Sequence, residues 1–529
     1  MSNKGFIPSA ATFIRQIRQN LSEGRYAIGE TGFPIIKELV QNADDAGAAV
    51  LHIGICEPLA GAEHPLLQSP GMYVINDGKF DRNDSANIRR FGENTKSMDA
   101  AKIGKFGLGL KSIFHLCEAF FFFGQVTVEG NKKYIADVLN PWSDQTDSFH
   151  PEWDFFADSD KKLLLNAFWK HFGGKECFCL WIPLRQRVQV QDSEPVIKFF
   201  PGDSLPTWLS TNELSPEIGK LIPMLENLRS IRGWRGFGEG ASQEFKISLT
   251  DESGRRKEFD ELEAATPTPF QGSVRVQQGP SKNWAIEFAG TELNPFDEDL
   301  DDLERDEHWP SDLGRDPETG NPRNIREKAR QHAAVCASFR RSLETIGSLS
   351  ISWAVFLPLG EPEVIPIPET SVDLSLHLHG YFFVDAGRNR PIGLHESRDA
   401  IDEYRDDEQL RHGWNQRLAD IGTLPLLPRC LKAISGDGDS GLSNEEMHAV
   451  TGAIEASSFF AEFRSQICST NNWAYVWNAD QSRTWRLSDA NVHVVELPEC
   501  TDHSLPFELF SALSSVVATV NVTAVNCPR

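Results

Sequence analysis

The feature that most constrains this chain is a helical segment followed, farther along, by a glycine-rich segment. The first, residues 37–48, reads KELVQNADDAGA, and the second, residues 102–115, reads KIGKFGLGLKSIFH. Pro34 suits a first helical turn and Gly47 suits a C-terminal stop. Glu38 and Asn42 then lie one turn apart, and Asp45 follows on the same side of the predicted helix. The first segment therefore presents a carboxylate beside an amide.

This pairing predicts a magnesium-dependent nucleotide site. Mg²⁺ prefers oxygen ligands and keeps several waters, so Asn42 is the predicted metal ligand. Glu38 is the predicted general base, or water-positioning group, for attack on a terminal phosphate. The glycines leave backbone N–H groups free to approach phosphate, and the predicted helix over roughly 108–117 points its positive end at them. For each segment taken singly, a solvated helix face or an ordinary turn is the alternative.

The order of the glycines disfavours the common nucleotide folds. Gly104, Gly107 and Gly109 follow Gly-x-x-Gly-x-Gly, which is neither the Rossmann pattern nor a Walker P-loop, and no Gly-Lys-Ser or Gly-Lys-Thr occurs in the chain. In order and spacing, the two segments instead resemble the N box and second glycine box of the GHKL ATPases: gyrase, heat-shock-ninety chaperones, histidine kinases and MutL. The resemblance implies an ATPase that binds ATP and Mg²⁺, with Glu38 as base and Asn42 on the metal.

The same resemblance implies the fold. It is α+β: a Bergerat (GHKL) ATPase α/β sandwich with a mixed, largely antiparallel sheet, followed by an α/β middle domain. We expect an ATP-binding domain over 1–195, a middle domain over 200–435 with an acidic insertion at 296–322, and a small α/β region over 443–529. Residues 325–343, which follow the insertion, are predicted to form a helix. The run Phe120–Phe123 is continuous and β-prone, so it is predicted to be buried sheet core.

Between the two boxes, the family has a strand ending in Asp-x-Gly-x-Gly, whose Asp binds the adenine amino group. This chain has YVINDGKF at residues 73–80. The resemblance assigns Asn76 or Asp77 to adenine and Gly78 to the first glycine, while Phe80 replaces the second. That departure resembles the sacsin branch. Sacsin repeats also have a Gly-Thr pair near residues 177–185, where this chain has Cys and Phe, which favours slow or lost turnover.

The polar segment 91–100 resembles the family's lid over ATP, with Gly92 as a hinge and Lys96 or Lys105 within reach of phosphate. A solvated loop lysine is the alternative for each. The complete set of residues that the resemblance assigns to nucleotide binding is Asn42, Asp45, Asn76, Asp77, Gly78, Lys96, Gly104, Lys105, Phe106, Gly107, Leu108 and Gly109.

The similarity to sacsin repeats continues downstream, so that it covers roughly residues 10–435. The matching segments are FLPLG at 356–360, LHGYFFVD at 378–385, RNR at 388–390 and WNQRL at 414–418. Heat-shock-ninety chaperones use a middle-domain arginine to contact the γ-phosphate, and the resemblance gives that catalytic role to Arg388 or Arg390. Arginine can neutralise developing phosphoryl charge bidentately. A surface pair that binds nearby carboxylates is the alternative.

Charge and composition narrow the classes of molecule that the protein is expected to bind. With 52 basic and 76 acidic residues, the formal net charge of −24 argues against a broadly basic nucleic-acid surface. The nine cysteines include no Cys-x-x-Cys pair. No apolar leader or membrane-length apolar stretch is visible, so we expect a cytoplasmic protein with no membrane contact.

Two further patterns are structural. Ser443 and Glu446 predict a capping box at the start of a helix. His377 and His379 share one strand face without a third ligand nearby in the sequence, so we expect a structural role.

The leading functional hypothesis is a slowly hydrolysing ATPase module of sacsin type. Lid closure would convert nucleotide state into a chaperone-like or clamp-like conformational change that acts on a protein client or partner. The alternative is a nucleotide-gated regulatory scaffold or sensor with little turnover, for example in a bacterial antiphage defence or DNA-processing complex. Direct work on DNA in the manner of MutL or gyrase is a third reading, which the acidity disfavours. Many GHKL proteins dimerise on ATP, so an ATP-dependent homodimer is also an expectation.

Overall fold

The computed structural model describes most of the chain between residues 33 and 486. The described ranges are 33–64, 67–80, 113–114, 116–117, 119–128, 131–139, 157–172, 177–184, 211–250, 262, 266–295, 331–342, 346–368, 370–385, 389–394, 407–436, 441–460, 463, 474–477 and 483–486.

The chain divides into two compact units. The first comprises residues 1–250 and 274–285, and the second comprises 251–273 and 286–529. Each is α+β and contains a mixed β-sheet. Two strands, β8 (Thr268–Gln278) and β9 (Lys282–Leu293), each contribute residues to both units. Among the described residues, no helix is long and apolar enough to span a bilayer.

The first unit sets three helices against a largely antiparallel sheet. Among its described strands the order is β7-β6-β1-β2-β5-β3-β4, in which β1 and β6 pair in parallel and the other described pairs are antiparallel. Its elements are α1 (Phe33–Asp45), β1 (Val50–Cys56), β2 (Gly71–Asn76), β3 (Phe120–Val128), β4 (Asn131–Leu139), α2 (Asp158–Phe172), β5 (Phe178–Pro183), α3 (Thr211–Gly219), β6 (Ser230–Arg235) and β7 (Ser242–Leu249).

Helix α1 forms where the sequence predicted a helix. From Ile35 onward, its apolar residues recur at helical spacing and are buried, which fixes one face of α1 in the core. They are Ile35, Ile36, Leu39, Val40 and Ala43. The helix ends before Gly47, whose φ of +73° is the left-handed conformation that favours glycine after a helix.

The central strands of the first unit are buried on both faces. All four side chains of Phe120–Phe123 are fully buried, as the sequence predicted. On one face, the ring of Trp181 stacks on Tyr73 and on Phe121 with interplanar angles of 11° and 15°. Gly71 leaves room for this stack, because a Cβ there would come within 2.6 Å of Trp181. Burial on both faces explains why these strands have continuous apolar sequences.

The second unit combines a mixed sheet with a helical segment that contains a π-helical turn. The strand order is β12-β11-β14-β10-β9, with β13 paired to β11, and β11 runs parallel to β14. Helix α4 continues through a π-helical turn into α5. The elements are β10 (Ala333–Arg341), β11 (Gly347–Val355), β12 (Leu357–Pro358), β13 (Glu363–Ile367), β14 (Val372–Gly380), α4 (Asp407–Arg417), the turn Leu418–Thr423, α5 (Leu424–Ile434), α6 (Asn444–Ala456), β15 (Ala474–Trp477) and β16 (Arg483–Arg486).

One predicted element was wrong. Residues 333–341 of the predicted helix at 325–343 form strand β10. The segment is rich in alanine, which favours helix locally. Strand β10 pairs with β9 on one side and with β14 on the other, and seven of its nine residues are buried. These long-range ladders override the local preference.

The predicted capping box of α6 was confirmed. The backbone N–H of Glu446 donates to the Ser443 hydroxyl, and the Ser443 N–H donates to the Glu446 carboxylate. Arg341 at the end of β10 adds two bonds of 3.0 Å to the same carboxylate. Burial alone raises the pKa of Glu446, but the bonds from Arg341 and Ser443 outweigh it, so the net pKa is lowered.

We expect Glu446→Gln to destabilise the fold by about 1 kcal/mol near neutral pH, because it weakens a helix cap. The pKa of Glu446 is lowered in the folded state, so its contribution is present above the pKa of the unfolded chain. It is lost as pH falls through the folded value. Urea unfolding of both proteins across this range checks the prediction. A difference that grew on acidification would contradict it.

Candidate functional site

The predicted general base, Glu38, and the predicted metal ligand, Asn42, both lie on α1. The Glu38 side chain is 7% exposed, while Asn42 is half-buried one turn later. The Asn42 Nδ2 atom is buried and donates to no acceptor among the described residues. Asp45, also assigned to the nucleotide, is half-buried at the last residue of the helix. A buried amide N–H group without a described acceptor fits a residue that meets a ligand acceptor, such as a phosphate oxygen.

The end of strand β2 carries the two candidates for adenine recognition. The Asn76 Oδ1 atom accepts a 2.9 Å bond from the N–H of Gly78, so its amide oxygen is used in a local turn. The Asp77 Oδ1 atom accepts bonds of 2.8 Å from the backbone N–H groups of Ala49 and Val50. No described residue donates to Asp77 Oδ2. Asp77 therefore keeps a carboxylate oxygen that no described residue uses, whereas the amide oxygen of Asn76 already accepts one bond.

Gly78 allows the end of β2 to approach the C-terminal end of α1. The backbone N–H of Lys79 donates a 2.9 Å bond to the carbonyl of Ala46, just after α1. A Cβ on Gly78 would lie 2.8 Å from the Ala46 Cβ and 2.9 Å from its carbonyl oxygen. A glycine is therefore required for this close approach. The structure thus places the end of β2 against the C-terminal end of α1, as the predicted site requires.

Two departures from the expected patterns contact each other: Phe80 replaces the second glycine of the GHKL motif, and Phe178 lies where sacsin repeats have Gly-Thr. The ring of Phe80, which stands where the resemblance expects a glycine, packs on Phe178 with centroids 4.7 Å apart and on Phe122 at 5.9 Å. Phe178 lies in the segment where sacsin repeats have Gly-Thr. The Phe80 ring also covers Gly124, where a Cβ would overlap it. An aromatic cluster therefore fills space beside the predicted site.

Much of the remaining predicted site lies outside the described residues. This holds for Lys96, for the glycine box from Gly104 to Gly109 with Lys105, Phe106, Gly107 and Leu108, and for Arg388. The segment just after the box is described in part. There Phe114 is buried and packs on Phe120 at 5.5 Å.

Arg390 lies on a closed loop of the second unit. Its side chain is exposed, its carbonyl accepts from the N–H of Asp385 at 3.1 Å, and the Asp385 carboxylate accepts from the N–H of Asn389 at 2.7 Å. The N–H of Ile392 then bonds to the carbonyl of Phe383. These bonds hold the backbone at Arg390 in place, and its side chain faces solvent.

Asn415 is a residue that sequence reasoning did not single out, although it lies in the WNQRL segment. It is fully buried on α4 and pairs with the backbone of Phe383 in both directions, at 2.8 and 2.7 Å. It also donates a 2.8 Å bond to the carbonyl of Ile392. The Asn415 side chain therefore bonds to the backbone on both sides of the Arg390 loop, at Phe383 and at Ile392. An amide at a helical position gives no local signal of this role.

A second concentration of buried polar groups lies in the second unit. His332 Nδ1 is 3.0 Å from His379 Nε2, and His332 Nε2 is 3.3 Å from the Glu292 carboxylate. His379 Nδ1 accepts a 2.9 Å bond from the N–H of Phe356. All three polar side chains are at least 98% buried. Phe356 is the one described non-glycine residue with positive φ, at 59°.

These hydrogen bonds fix which ring nitrogens of His332 and His379 carry a proton. Because His379 Nδ1 accepts from a backbone N–H, its neutral ring carries the proton on Nε2 and donates it to His332 Nδ1. His332 then carries its own proton on Nε2 and donates to Glu292. The expected structural role of His379 therefore takes the form of a buried hydrogen-bond chain. The His379 Nδ1 atom, which accepts from the Phe356 N–H, also helps to hold Phe356 in its uncommon backbone conformation.

We expect His332→Leu to lower the free energy of unfolding by about 2–4 kcal/mol, because it removes two buried hydrogen bonds, one of them to a carboxylate. Glu292→Gln should cost less, since its amide oxygen can still accept from His332. Urea unfolding at fixed pH measures both. Equal costs for the two variants would contradict the assigned proton positions.

We expect Gly78→Ala to cost about 1–3 kcal/mol, because its methyl group would collide with the backbone of Ala46 and push the end of β2 away from α1. The matched control is Gly452→Ala on an exposed face of α6, where a Cβ meets nothing within 4 Å. That change should be neutral or stabilising, by up to about 1 kcal/mol. Thermal or urea unfolding of both variants checks the difference, and a neutral Gly78→Ala would refute the close approach.

Comparison with known proteins bears on the first unit. Residues 12–172 match the family model of the Sacsin domain, a range that includes α1, β1, β2 and the glycine-rich segment. Human sacsin is 32% identical over 131 residues, which cover 21% of this chain and 3% of sacsin. The chain thus spans a small fraction of the length of that relative. The resemblance of the segments beyond residue 172 to sacsin repeats stays a prediction.

Among solved structures, one described as the N-terminal domain of a DNA repair protein aligns with 73% of this chain and 95% of its own, at 12% identity and a TM-score of 0.27. At that score the alignment carries no argument. The family match and the sacsin identity agree that residues 12–172 are similar to the Sacsin domain.

Proposed function

We propose that the first unit is a Bergerat-type module that binds ATP with Mg²⁺ in the manner of the GHKL ATPases. The observation that carries the proposal is the position of Asn42. Its amide nitrogen is buried without a described partner, on the same helix as the Glu38 carboxylate, and the end of that helix lies against the strand end that presents Asp77. The Sacsin-domain match over these residues supports the proposal.

The described side chains fit the proposed ligands. Asn42 offers an amide oxygen, which suits Mg²⁺, and no larger cluster of acidic residues is needed where phosphate oxygens and water complete the shell. Bound Mg²⁺ would neutralise charge on the phosphates. Glu38 would orient a water and accept its proton. Asp77 Oδ2 would accept from the adenine amino group, while Asp77 Oδ1 holds the side chain in place on the start of β1.

We propose further that the module acts as a slow ATPase whose nucleotide state drives chaperone-like conformational change on a protein client. The sacsin similarity favours this reading. The glycine box, Lys96, Lys105 and Arg388 belong to the proposal through the resemblance alone. Arg390 is proposed to contribute to turnover, and its exposed side chain is compatible with that role. An ATP-dependent homodimer also stays a proposal.

A specific observation favours a second candidate, a nucleotide-gated scaffold with little turnover. Phe80 replaces the second glycine of the GHKL motif, Phe178 lies where sacsin repeats have Gly-Thr, and the two rings pack on each other at 4.7 Å. Bulky rings beside the adenine-binding strand would reshape the pocket and slow the approach to a reactive geometry. A regulatory protein of an antiphage defence or DNA-processing complex would need binding without fast hydrolysis. Direct nucleic-acid binding stays less favoured because of the net charge of −24.

We expect calorimetric titration to show Mg²⁺-dependent ATP binding that Asn42→Ala weakens at least about tenfold, because the metal loses a protein ligand. Glu38→Gln should bind ATP as the wild type does but hydrolyse it at least about a hundredfold more slowly, since the base is lost. Phosphate release under the same conditions measures turnover.

The outcomes separate the candidates. Binding with measurable turnover that Glu38→Gln removes supports the ATPase. Binding with equally low phosphate release in both proteins supports the scaffold. If ATP does not bind with or without Mg²⁺, both candidates are refuted.

A further inference from the structure

Asp44 is a buried carboxylate that the proposed chemistry does not use. It lies two residues after Asn42 on α1 and is 1% exposed. Its oxygens accept three backbone N–H bonds, from Glu226 at 3.1 Å, Asn227 at 2.7 Å and Leu228 at 2.8 Å. In return, the Asn227 side chain donates a 3.1 Å bond to the Asp44 carbonyl. Four bonds thus clamp the last turn of α1 to residues 226–228, more than 180 positions away in sequence.

The segment that Asp44 grips is itself held in place. The Arg229 guanidinium donates to the carbonyls of Glu226 at 2.7 Å and Leu228 at 3.2 Å. The backbone N–H groups of Arg229 and Ser230 both donate to the carbonyl of Ala49, at 2.9 and 3.1 Å. Asp44 is therefore anchored to a braced loop and not to a mobile one.

The same braced loop connects to the other half of the proposed site. Ala49, which receives the bonds from Arg229 and Ser230, donates its own N–H to Asp77 Oδ1. Asp44 and Asp77 therefore hold α1 and the end of β2 to one common backbone frame. The relative position of the proposed metal ligand and the proposed adenine acceptor is set by this frame.

We propose that Asp44 is a positioning residue for the proposed Mg²⁺-nucleotide site. No described acceptor holds the Asn42 Nδ2 atom, so the place of the Asn42 amide is set by the backbone of α1. Asp44 fixes that backbone at the adjacent turn. This inference rests on the proposed function, and it adds a residue that acts through Asn42 without touching the ligand. Small displacements of a liganding group are costly, up to about a hundredfold for about 1 Å.

Asp160 on α2 is a matched control in the same unit. It is also 1% exposed, and its carboxylate accepts backbone N–H bonds of 2.9 Å from Glu63 and His64. It belongs to a different helix from Glu38 and Asn42. Asp160→Ala should therefore destabilise the fold as Asp44→Ala does, for the same physical reason, without moving α1.

The readout is the ratio of ATP dissociation constants without and with Mg²⁺, measured by calorimetry on the full chain at a temperature where each variant is folded by circular dichroism. We expect Asp44→Ala to lower this ratio about tenfold and Asp160→Ala to leave it unchanged. Asp44→Asn should have a smaller effect, because its oxygen can still accept from Asn227 and Leu228. Asn227→Ala, which loosens the clamp from the loop side, should also lower the ratio and serves if Asp44→Ala does not fold.

Each result decides the question. A lowered ratio in the Asp44 and Asn227 variants alone supports the positioning role. An unchanged ratio in them, while Asn42→Ala removes the Mg²⁺ dependence, overturns this inference and leaves the proposed function intact. An equal fall in Asp160→Ala also overturns it. A wild-type chain that shows no Mg²⁺-dependent ATP binding overturns both the inference and the proposed function.

Discussion

The first unit depends on backbone N–H groups that are gathered by buried or half-buried carboxylates. Asp44 satisfies three such donors in the loop before β6, and Asp77 satisfies two at the start of β1. A carboxylate can accept several N–H bonds at once, and such charge-assisted bonds are stronger than neutral ones. These two residues tie α1, β1, β2 and β6 together at the place where their ends converge. The geometry of the candidate site follows from that junction.

A separate contact, between Phe80 and Phe178, explains how the chain departs from the GHKL pattern without losing its fold. Phe80 stands where a glycine is expected, and the space for its ring is provided by Gly124 and completed by Phe178. The two unusual aromatic residues therefore depend on each other, because removal of either ring would leave a gap beside the other. The chain keeps Glu38 and Asn42, so the packing of Phe80 on Phe178 is the physical reason to propose slow ATP hydrolysis.

The sequence was informative where local rules govern structure. Helical spacing predicted α1, continuous apolar runs predicted the buried strands, and the Ser443–Glu446 spacing predicted a capping box that the structure confirmed. It failed at β10, where pairing with β9 and β14 overrode local preference. Of the candidate site, the position of Glu38 and Asn42 on one helix could be predicted because both lie within two turns.

The partners of Asp44, Asp77 and His379 could not be predicted, because they are distant in sequence. Asp44 bonds to residues 182–184 positions away, and His332 reaches His379 across 47 positions and Glu292 across 40. No periodic pattern marks such contacts. The choice between Asn76 and Asp77 also needed the structure, since only the hydrogen bonds show which oxygen is already used.

We propose that Mg²⁺ and ATP bind where α1 meets the end of β2. Hydrogen exchange with and without Mg²⁺ and a non-hydrolysable ATP analogue tests it most directly, because it reports protection segment by segment. We predict slower exchange in peptides that cover residues 35–50 and 71–80, with strand β10 unchanged as an internal reference. Exchange that stays the same in both segments at saturating analogue would contradict the claim.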